Sequence, residues 1–288
     1  MELSSTAVAL VLSAALCHAL WNLALKKVGN PSIGFVGMIA TLETLVWIPA
    51  VLLAANLDRI LTIKGLLAVT VSALLHIAYF WLLAGAYKKN DLGIAYPIAR
   101  ATGPLLSGIF AIVVLLERPS STEIFGAATI ICGSLFIGLS QGKKIAAESI
   151  WGNLRLAVFC GVAIATYTVW DQHAVSTWEL PVVAFYWGQL LVRAVVCSPW
   201  VLRDKNNLSQ QFKTHWKSLL AIAILSPLAY QLVLQAMTIA PLSLVAPLRE
   251  TSILFAIILG SLFLKEQNTG RRMFGAGLML VGLITLTF

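Results

Sequence analysis

The segment LERPSSTEIFGAATIICGSLFIG, residues 116–138, has a counterpart later in the chain in LKEQNTGRRMFGAGLMLVGLITL, residues 264–286. In each segment a glutamate precedes one glycine by nine residues and a second glycine by sixteen. Self-similarity at one fixed offset is the signature of an internal duplication. These two segments therefore predict a chain built from two similar halves.

Landmarks in the rest of the two halves follow nearly the same offset. Shifting the sequence by 149 or 150 positions superposes Trp21 on Trp170, Pro49 on Pro199, Ala86 on Ala236, Pro97 on Pro247, and Phe125 on Phe274. No single match carries weight in so apolar a chain, but a near-constant offset does. We therefore divide the chain into a first repeat at residues 1–140, a connecting loop at 141–151 and a second repeat at 152–288.

The composition is that of a membrane protein. Hydrophobic residues make up 59% of the 288 positions and charged residues only 11%, whereas soluble domains have about 45–50% apolar and about 25% charged residues. So few charges cannot cover the surface of a soluble protein of this size, which excludes an ordinary soluble enzyme. The net charge of +8 resides in short basic clusters between apolar runs. We therefore expect a lipid bilayer, and not a nucleic acid, as the partner.

Apolar runs bounded by charge, glycine or proline predict ten transmembrane helices. They span residues 6–27, 33–55, 65–87, 92–115, 122–140, 152–174, 182–202, 217–237, 242–264 and 270–287. Five spans per repeat is an odd number, so the second repeat must enter the membrane in the opposite direction. The predicted fold class is an all-α polytopic membrane protein made of two inverted five-helix repeats.

The basic residues are distributed unevenly between the predicted loops. Loops that follow odd-numbered helices contain 14 lysines and arginines, whereas loops that follow even-numbered helices contain 3, namely Arg59, Lys64 and Arg118. By the positive-inside rule, the side rich in lysine and arginine is cytoplasmic. We therefore expect a multi-pass protein of the cell (inner or plasma) membrane, with Lys143 and Lys144 in the cytoplasm and both termini outside.

Several motifs on this frame resemble a known family. The segment HALWNLALKK at 18–27 is similar to the first helix of the drug/metabolite transporter superfamily, in its ten-helix EamA-domain branch, which shows a tryptophan there and a lysine at the helix end. The paired segments quoted above resemble the ends of two EamA repeats. The segments AYPIARATG at 95–103 and VAPLRETS at 245–252 resemble the proline-bearing helices of that branch.

The resemblance covers essentially the whole chain and implies a ten-helix transporter of small metabolites. It implies no single substrate, because the family spans amino acids, nucleotide sugars, sugar phosphates, amines and drugs. The four-helix small multidrug relatives keep an acidic residue in the middle of helix 1 for proton coupling. Helix 1 of this chain has only His18 and Asn22 there.

Five ionisable residues are predicted well inside the membrane spans: Glu43, Arg100, Arg193, Arg249 and Glu250. A lone charge at the bilayer centre costs roughly 2.5–3.5 kcal/mol on insertion scales, so these groups must be paired or face a wet cavity. Glu43 and Arg193 are repeat mates at an offset of 150. Either they form a buried ion pair that fixes the two halves, or one or both line a substrate cavity.

Arg100 and Arg249 are also repeat mates, and each follows a helix proline by two or three residues. Proline leaves a backbone carbonyl without its helical donor and kinks the helix, and a guanidinium beside the kink is suited to binding a carboxylate or phosphate. We therefore predict that these arginines contact an anionic substrate. The alternative is a structural pairing, for example with Glu250. Tyr96 lies within about a turn of Arg100 and would add a hydrogen bond.

The remaining candidate substrate-binding residues are Trp21, Asn22, His76, Trp170 and Asp171. The two tryptophans are repeat mates and either line the cavity or anchor their helices at the membrane interface. Asp171 falls near the end of helix 6. His76, within an apolar span, is either a hydrogen-bonded core residue or a proton-coupling group.

Together these features predict a secondary active transporter that moves a small polar metabolite, anionic or zwitterionic, by alternating access. A membrane-embedded enzyme or a channel is the alternative, but no HExxH, GxSxG or P-loop motif occurs, and no enzyme activity or cofactor is expected. The four cysteines lie in apolar runs without a CxxC pair, so no metal site is expected either. The candidate coupling ion is a proton, and the expected assembly is a monomer or homodimer.

Overall fold

The computed structural model describes residues 3–28, 32–54, 56–89, 92–139, 147–264 and 270–287. Within these ranges, the description leaves out the side chains of residues 54, 84, 86–89, 92–97, 147–154 and 264. All regular structure in the described ranges is helical. The predicted all-α class is therefore confirmed for this part of the chain.

Twelve α-helices follow one another along the described residues. They are α1 (Ser5–Lys26), α2 (Ile33–Ala54), α3 (Leu57–Ile60), α4 (Ile63–Lys89), α5 (Leu92–Val113), α6 (Ser121–Leu139), α7 (Ala147–Gln172), α8 (Val182–Arg203), α9 (Lys205–Met237), α10 (Leu242–Leu248), α11 (Ser252–Leu264) and α12 (Gly270–Thr287). A π-helical turn at His173–Thr177 extends α7. A 3-10 turn at Arg249–Thr251 joins α10 to α11.

Helical structure occupies each of the ten predicted spans over nearly all of its described residues; the exceptions are residues 27, 114 and 115 at span ends. Seven helical segments in those ranges are long and apolar enough to cross a membrane, with α10 to α11 counted as one. A shorter apolar helix covers Ile98–Val113. The count of ten crossings therefore stays a prediction.

Helix α9 departs from the sequence expectation. The apolar pattern predicts a span at 217–237, but α9 begins at Lys205. Its backbone leaves helical geometry at His215, where φ is −123° and ψ is 21°, so a polar helical stretch precedes the apolar one. A search for apolar runs misses this stretch because Leu208, which packs in the same cluster as Phe35, is flanked by polar residues.

The two repeats pack against each other along much of their length. Helix α1 packs on α9, α2 on α8, and both α4 and α5 on α7. Each of these contacts joins a helix of the first half of the sequence to one of the second half. Much of the core therefore lies between the repeats and depends on both.

Helices α6 and α12 come into backbone contact at two glycine pairs. A methyl group on Gly133 would lie 2.7 Å from the carbonyl oxygen of Gly275, and one on Gly282 would lie 2.6 Å from that of Gly126. Small residues allow this approach in a bilayer, where close packing replaces the hydrophobic effect as the driving force. The pairs run in opposite order along the two helices, and the offset of 149 exchanges one pair for the other. This geometry fits two repeats of inverted direction.

Polarity is distributed as expected for a protein in a bilayer. The side chains of Leu53 and Ile63 on the outside are 89% and 88% exposed, which suits contact with hydrocarbon tails. The charged side chains of Glu43 and Arg193 are inside, at 1% and 4% exposure. The interior must therefore satisfy these charges without bulk water.

One loop of the first repeat holds the start of a helix in the second. Leu116 has a positive φ of 57°, a conformation that non-glycine residues adopt rarely. After this turn, Glu117 accepts the backbone N–H of Leu242 on Oε1 and that of Ser243 on Oε2, both at 2.9 Å. The carboxylate thus accepts two backbone N–H groups at the start of α10 that have no acceptor within the helix. Its negative charge also interacts favourably with the positive end of the helix dipole.

Candidate functional site

A cavity of about 580 Å³ lies between the two repeats. Helices α1, α2, α4, α5, α7, α8 and α9 and the 3-10 turn all contribute to its wall. The wall includes eight of the residues that the sequence predicts as substrate-binding: Trp21, Asn22, Glu43, His76, Arg100, Arg193, Arg249 and Glu250. The structure thus brings the charges of both repeats to one place.

Glu43 of α2 and Arg193 of α8 form a buried ion pair on this wall. The Nη2 of Arg193 donates to Oε2 of Glu43 at 2.8 Å. The guanidinium carbon also lies 5.6 Å from the ring centroid of Phe80, within the range of a cation–π contact. The sequence left open whether these residues form an ion pair or line a cavity. In the structure they do both, because the paired side chains lie on the cavity wall.

Arg100 of α5 reaches across the repeat boundary to the break between α10 and α11. Its Nε lies 2.9 Å from Oε2 of Glu250, and its Nη2 donates to Oγ of Ser252 at 2.9 Å. Glu250 lies in the 3-10 turn that follows Pro247. An arginine of the first repeat therefore holds the irregular turn of the second repeat in place.

Arg249 differs from the other two membrane arginines. It lines the cavity and is only partly buried, yet the described residues offer its guanidinium neither a carboxylate within 4.0 Å nor a hydrogen bond. The positive charges of both Arg100 and Arg249 act electrostatically on His18 of α1. Three guanidiniums thus face two glutamates on the described wall, which leaves an excess of positive charge at Arg249.

Aromatic side chains make up much of the remaining wall. Five of them are Tyr79, Phe80, Tyr167, Tyr186 and Tyr230. Their position on the wall is not predictable from the sequence, because an aromatic residue in a uniformly apolar helix carries no sign of the face on which it lies. Their rings enclose the charged groups in an apolar surface, which is typical of small-molecule sites.

His76 and Asp171 form a second polar cluster at the edge of the cavity. Tyr230 donates its hydroxyl hydrogen to Oδ2 of Asp171 at 2.8 Å, and Nε2 of His76 lies 3.9 Å from the same oxygen. Nδ1 of His76 lies 2.9 Å from the backbone carbonyl of Ser72. His76 lines the cavity, whereas Asp171 lies behind it and is fully buried.

Two other predicted site residues are not on the described cavity wall. The side chain of Tyr96 lies outside the described residues. Trp170 points away from the cavity, where its Nε1 donates to the carbonyl of Ala68 at 3.0 Å and its ring meets Trp178 edge-on. Its repeat mate Trp21 lines the cavity. The pseudo-symmetry of the repeats therefore does not extend to these two side chains.

A bundle of long apolar helices around a charged internal cavity is the architecture of a membrane transporter. The sequence pattern of the EamA-like transporter family matches residues 5–139 and again residues 151–288, and the chain belongs to this family. The resemblance noted in the sequence, including the two repeated halves and the drug/metabolite transporter superfamily, is thereby confirmed.

Comparison with solved structures supports the same fold. A protein of known crystal structure superposes on this chain with a TM-score of 0.80, over 99% of this chain and 97% of that chain, at 18% sequence identity. At that identity the likeness shows the fold alone. No curated protein matches the sequence.

Proposed function

We propose that this protein is a secondary active transporter that moves a small anionic or zwitterionic metabolite across the membrane by alternating access. The observation that carries the proposal is Arg249, a cavity-lining guanidinium to which the described residues offer no carboxylate partner. An unneutralised cation inside a membrane protein is costly. A substrate that brings a carboxylate or phosphate to Arg249 would remove that cost.

The neighbours of Arg249 suit an anion. A guanidinium presents a planar fork of donors that matches carboxylate and phosphate oxygens. The positive charges of Arg100 and Arg249 both act on His18 of the same cavity wall, so an anion at Arg249 would also be attracted by Arg100. A cavity of about 580 Å³ lies within the range of roughly 300–1,000 Å³ that is usual for small-molecule sites. Glu250 and Glu43 supply negative charge at the same wall, so an amine on a zwitterionic substrate would also find a partner.

The repeat architecture supports alternating access. The cavity lies between the two repeats, and many transporters expose a central site to each side in turn by rocking one repeat against the other. The Arg100–Glu250 pair joins the repeats at the substrate cavity. A substrate that competes for either partner would therefore also change how the repeats are held together.

The proposal also covers the membrane, the orientation, the assembly and the coupling ion. It acts in the cell (inner or plasma) membrane as a monomer or homodimer, with both termini outside and a proton as coupling ion. Loops 2–3 and 6–7 both follow even-numbered predicted helices. Their expected position on one side is supported by Arg59, whose Nη1 donates to the backbone carbonyl of Glu179 at 2.9 Å.

A ligand-stability screen tests the proposal. Purified protein is heated with inorganic phosphate, a dicarboxylate, a panel of amino acids and sugar phosphates, and a quaternary ammonium ion as a cationic control. A ligand that binds only the folded state raises the unfolding temperature. We expect stabilisation by one or more anions or zwitterions. Stabilisation by the quaternary ammonium ion alone would contradict the proposed substrate sign.

The variant Arg249→Gln identifies the site. Losing a charge-assisted hydrogen bond costs about 1.5–3 kcal/mol, so the affinity for the stabilising anion should fall about tenfold or more. Arg203→Gln is the matched control, because Arg203 is an exposed arginine at the end of α8. Equal affinities of the two variants would show that Arg249 does not bind the substrate.

Flux separates a transporter from the alternative functions. In proteoliposomes, a transporter should give saturable uptake of the labelled anion and counterflow against preloaded unlabelled anion. A channel would give flux without saturable counterflow, and a membrane enzyme would convert the compound in detergent without any gradient. Either of these results would replace the proposed function.

A further inference from the structure

A fully buried carboxylate lies behind the cavity wall, and the proposed anion site does not use it. Asp171 of α7 is 0% exposed. Its Oδ2 accepts a hydrogen bond from Tyr230, but among the described residues its Oδ1 has no partner in hydrogen-bonding geometry, although Ser72 is nearby. A buried carboxylate with an unpaired oxygen is unfavourable when ionised. Binding one proton would remove the charge, which is the larger part of this cost.

His76 connects this carboxylate to the cavity. A backbone carbonyl only accepts, so the contact between Nδ1 and the carbonyl of Ser72 at 2.9 Å places the ring hydrogen on Nδ1. Nε2 is then the basic nitrogen, and it lies 3.9 Å from Oδ2 of Asp171. That distance is slightly longer than a hydrogen bond, so a small ring movement or one water completes the path. The stack with Tyr167, at 4.2 Å between ring centroids, holds the ring in this position.

Charged and titratable groups on three neighbouring helices and the 3-10 turn affect this pair, and Arg100 on α5 acts on Tyr167 beside it. They are Tyr167 on α7, Tyr186 and Arg193 on α8, Tyr230 on α9 and Arg249 in the 3-10 turn. The two guanidiniums disfavour a lasting positive charge on His76. A proton that enters from the cavity therefore rests on Asp171, and His76 returns to its neutral form.

We propose that Asp171 binds an exchangeable proton that is carried in the same direction as the anion, with His76 as its path to the cavity. This inference rests on the transport function proposed above. Arg249 acts electrostatically on Asp171. An anion that neutralises Arg249 removes the positive charge that stabilises ionised Asp171. The bound anion and the bound proton therefore stabilise each other, which is the thermodynamic requirement for symport.

Infrared spectroscopy tests the proton site without a transported ligand. Reconstituted protein is titrated with acid while the carbonyl stretch of protonated carboxylic acids is recorded. We expect a band that appears as the pH falls, is absent in Asp171→Asn and is retained in Asp58→Asn, a matched change at an exposed aspartate. An identical titration in Asp171→Asn and the wild type would overturn the proposal.

Two further variants keep the test decisive even if Asp171→Asn fails to fold. Tyr230→Phe removes the donor to ionised Asp171 and should move the midpoint of the band to higher pH. Arg249→Gln mimics the neutralising effect of a bound anion and should move it in the same direction, whereas Arg203→Gln should not. If Arg249→Gln leaves the midpoint unchanged, the proton and anion sites are not coupled.

The role of His76 has its own readout. After a rapid pH jump, His76→Gln should slow the appearance of the Asp171 band at least severalfold, because the basic nitrogen that delivers the proton is gone. An unchanged rate would show that the proton reaches Asp171 by another path. All these spectra are independent of the ligand screen. A protein that binds no anion would therefore contradict the proposed function and still allow the proton site to be judged.

Discussion

Glu43 and Arg193 lie 150 positions apart in the sequence and form an ion pair of 2.8 Å between helices α2 and α8. The same offset relates the two repeats, so each residue occupies the position of the other in its own repeat. Two identical charges at such positions would repel each other across the interface. The sequences of the repeats have diverged so that opposite charges meet, and the pair joins the two halves at the cavity.

The Glu43–Arg193 pair gives the first prediction. Because both side chains are buried, Glu43→Gln or Arg193→Gln leaves an unpaired charge, which costs about 3–5 kcal/mol of unfolding free energy. The double variant leaves neither charge and should be milder than the sum of the two single changes. Denaturant unfolding in detergent measures all four proteins of the cycle. Additive effects would show that the pair contributes no coupling energy.

The fold was largely predictable from the sequence because apolar runs and a fixed repeat offset are one-dimensional signals. The offset and the two charges made an ion pair between Glu43 and Arg193 one of two alternatives, and the structure shows this pair on the cavity wall. The polar helix before His215 could not be found in this way, since Leu208 packs inside while its neighbours are polar. An amphipathic stretch outside the apolar part of a span needs tertiary contacts to be recognised.

The candidate site was predictable in its charges but less so in their pairing. A pairing with Glu250 was the stated alternative for both proline-linked arginines, and the structure shows it for Arg100. Which of the two arginines Glu250 meets depends on the depth and rotation of helices from opposite repeats. The tyrosines of the wall gave no signal. For Trp170, the repeat offset suggested the same role as Trp21, but the carbonyl of Ala68 holds its indole away from the cavity.

The glycine contacts of α12 give a second prediction. A methyl group at Gly275 would lie 3.0 Å from the carbonyl oxygen of Gly133 and 2.6 Å from Cγ1 of Ile137, whereas one at Gly277 would meet nothing within 4 Å. Gly275→Ala should therefore destabilise the protein by about 1–3 kcal/mol through overpacking. Gly277→Ala, on the same helix, should be neutral or slightly stabilising. Thermal unfolding compares the two, and equal effects would disprove close packing of α6 on α12.

Membrane orientation gives a third prediction. A cysteine at position 144, in the connecting loop predicted from the sequence, should react with a membrane-impermeant maleimide only after the cells are permeabilised. A cysteine in place of Arg59, whose side chain is 57% exposed, should react in intact cells. The native cysteines are first replaced to remove background labelling. The reverse pattern would place the termini in the cytoplasm.

The Arg100–Glu250 pair gives a fourth prediction, which concerns substrate sign. Glu250→Gln removes the negative charge beside Arg100 and so increases the excess of positive charge on the cavity wall, while Arg100 keeps its hydrogen bond to Ser252. One added charge-assisted contact is worth about 1.5–3 kcal/mol, so the affinity for a purely anionic ligand should rise about tenfold. The affinity for a zwitterion should rise less or fall, because its amine loses a partner. Thermal-shift titrations with both ligand types measure this, and a uniform loss of affinity would indicate that Glu250 has only a structural role.

The last prediction concerns Glu117, which holds the start of α10 from the other repeat. Glu117→Gln keeps one acceptor oxygen for two backbone donors and removes the charge that favours the helix N-terminus, so it should cost about 1–2 kcal/mol. Glu123→Gln is the control, because Glu123 accepts the N–H of Ser120 at an exposed helix start, where water replaces the bond. Since α10 leads directly into Arg249, only Glu117→Gln should also weaken anion binding. Equal unfolding temperatures and affinities in the two variants would show that this contact neither stabilises α10 nor positions Arg249.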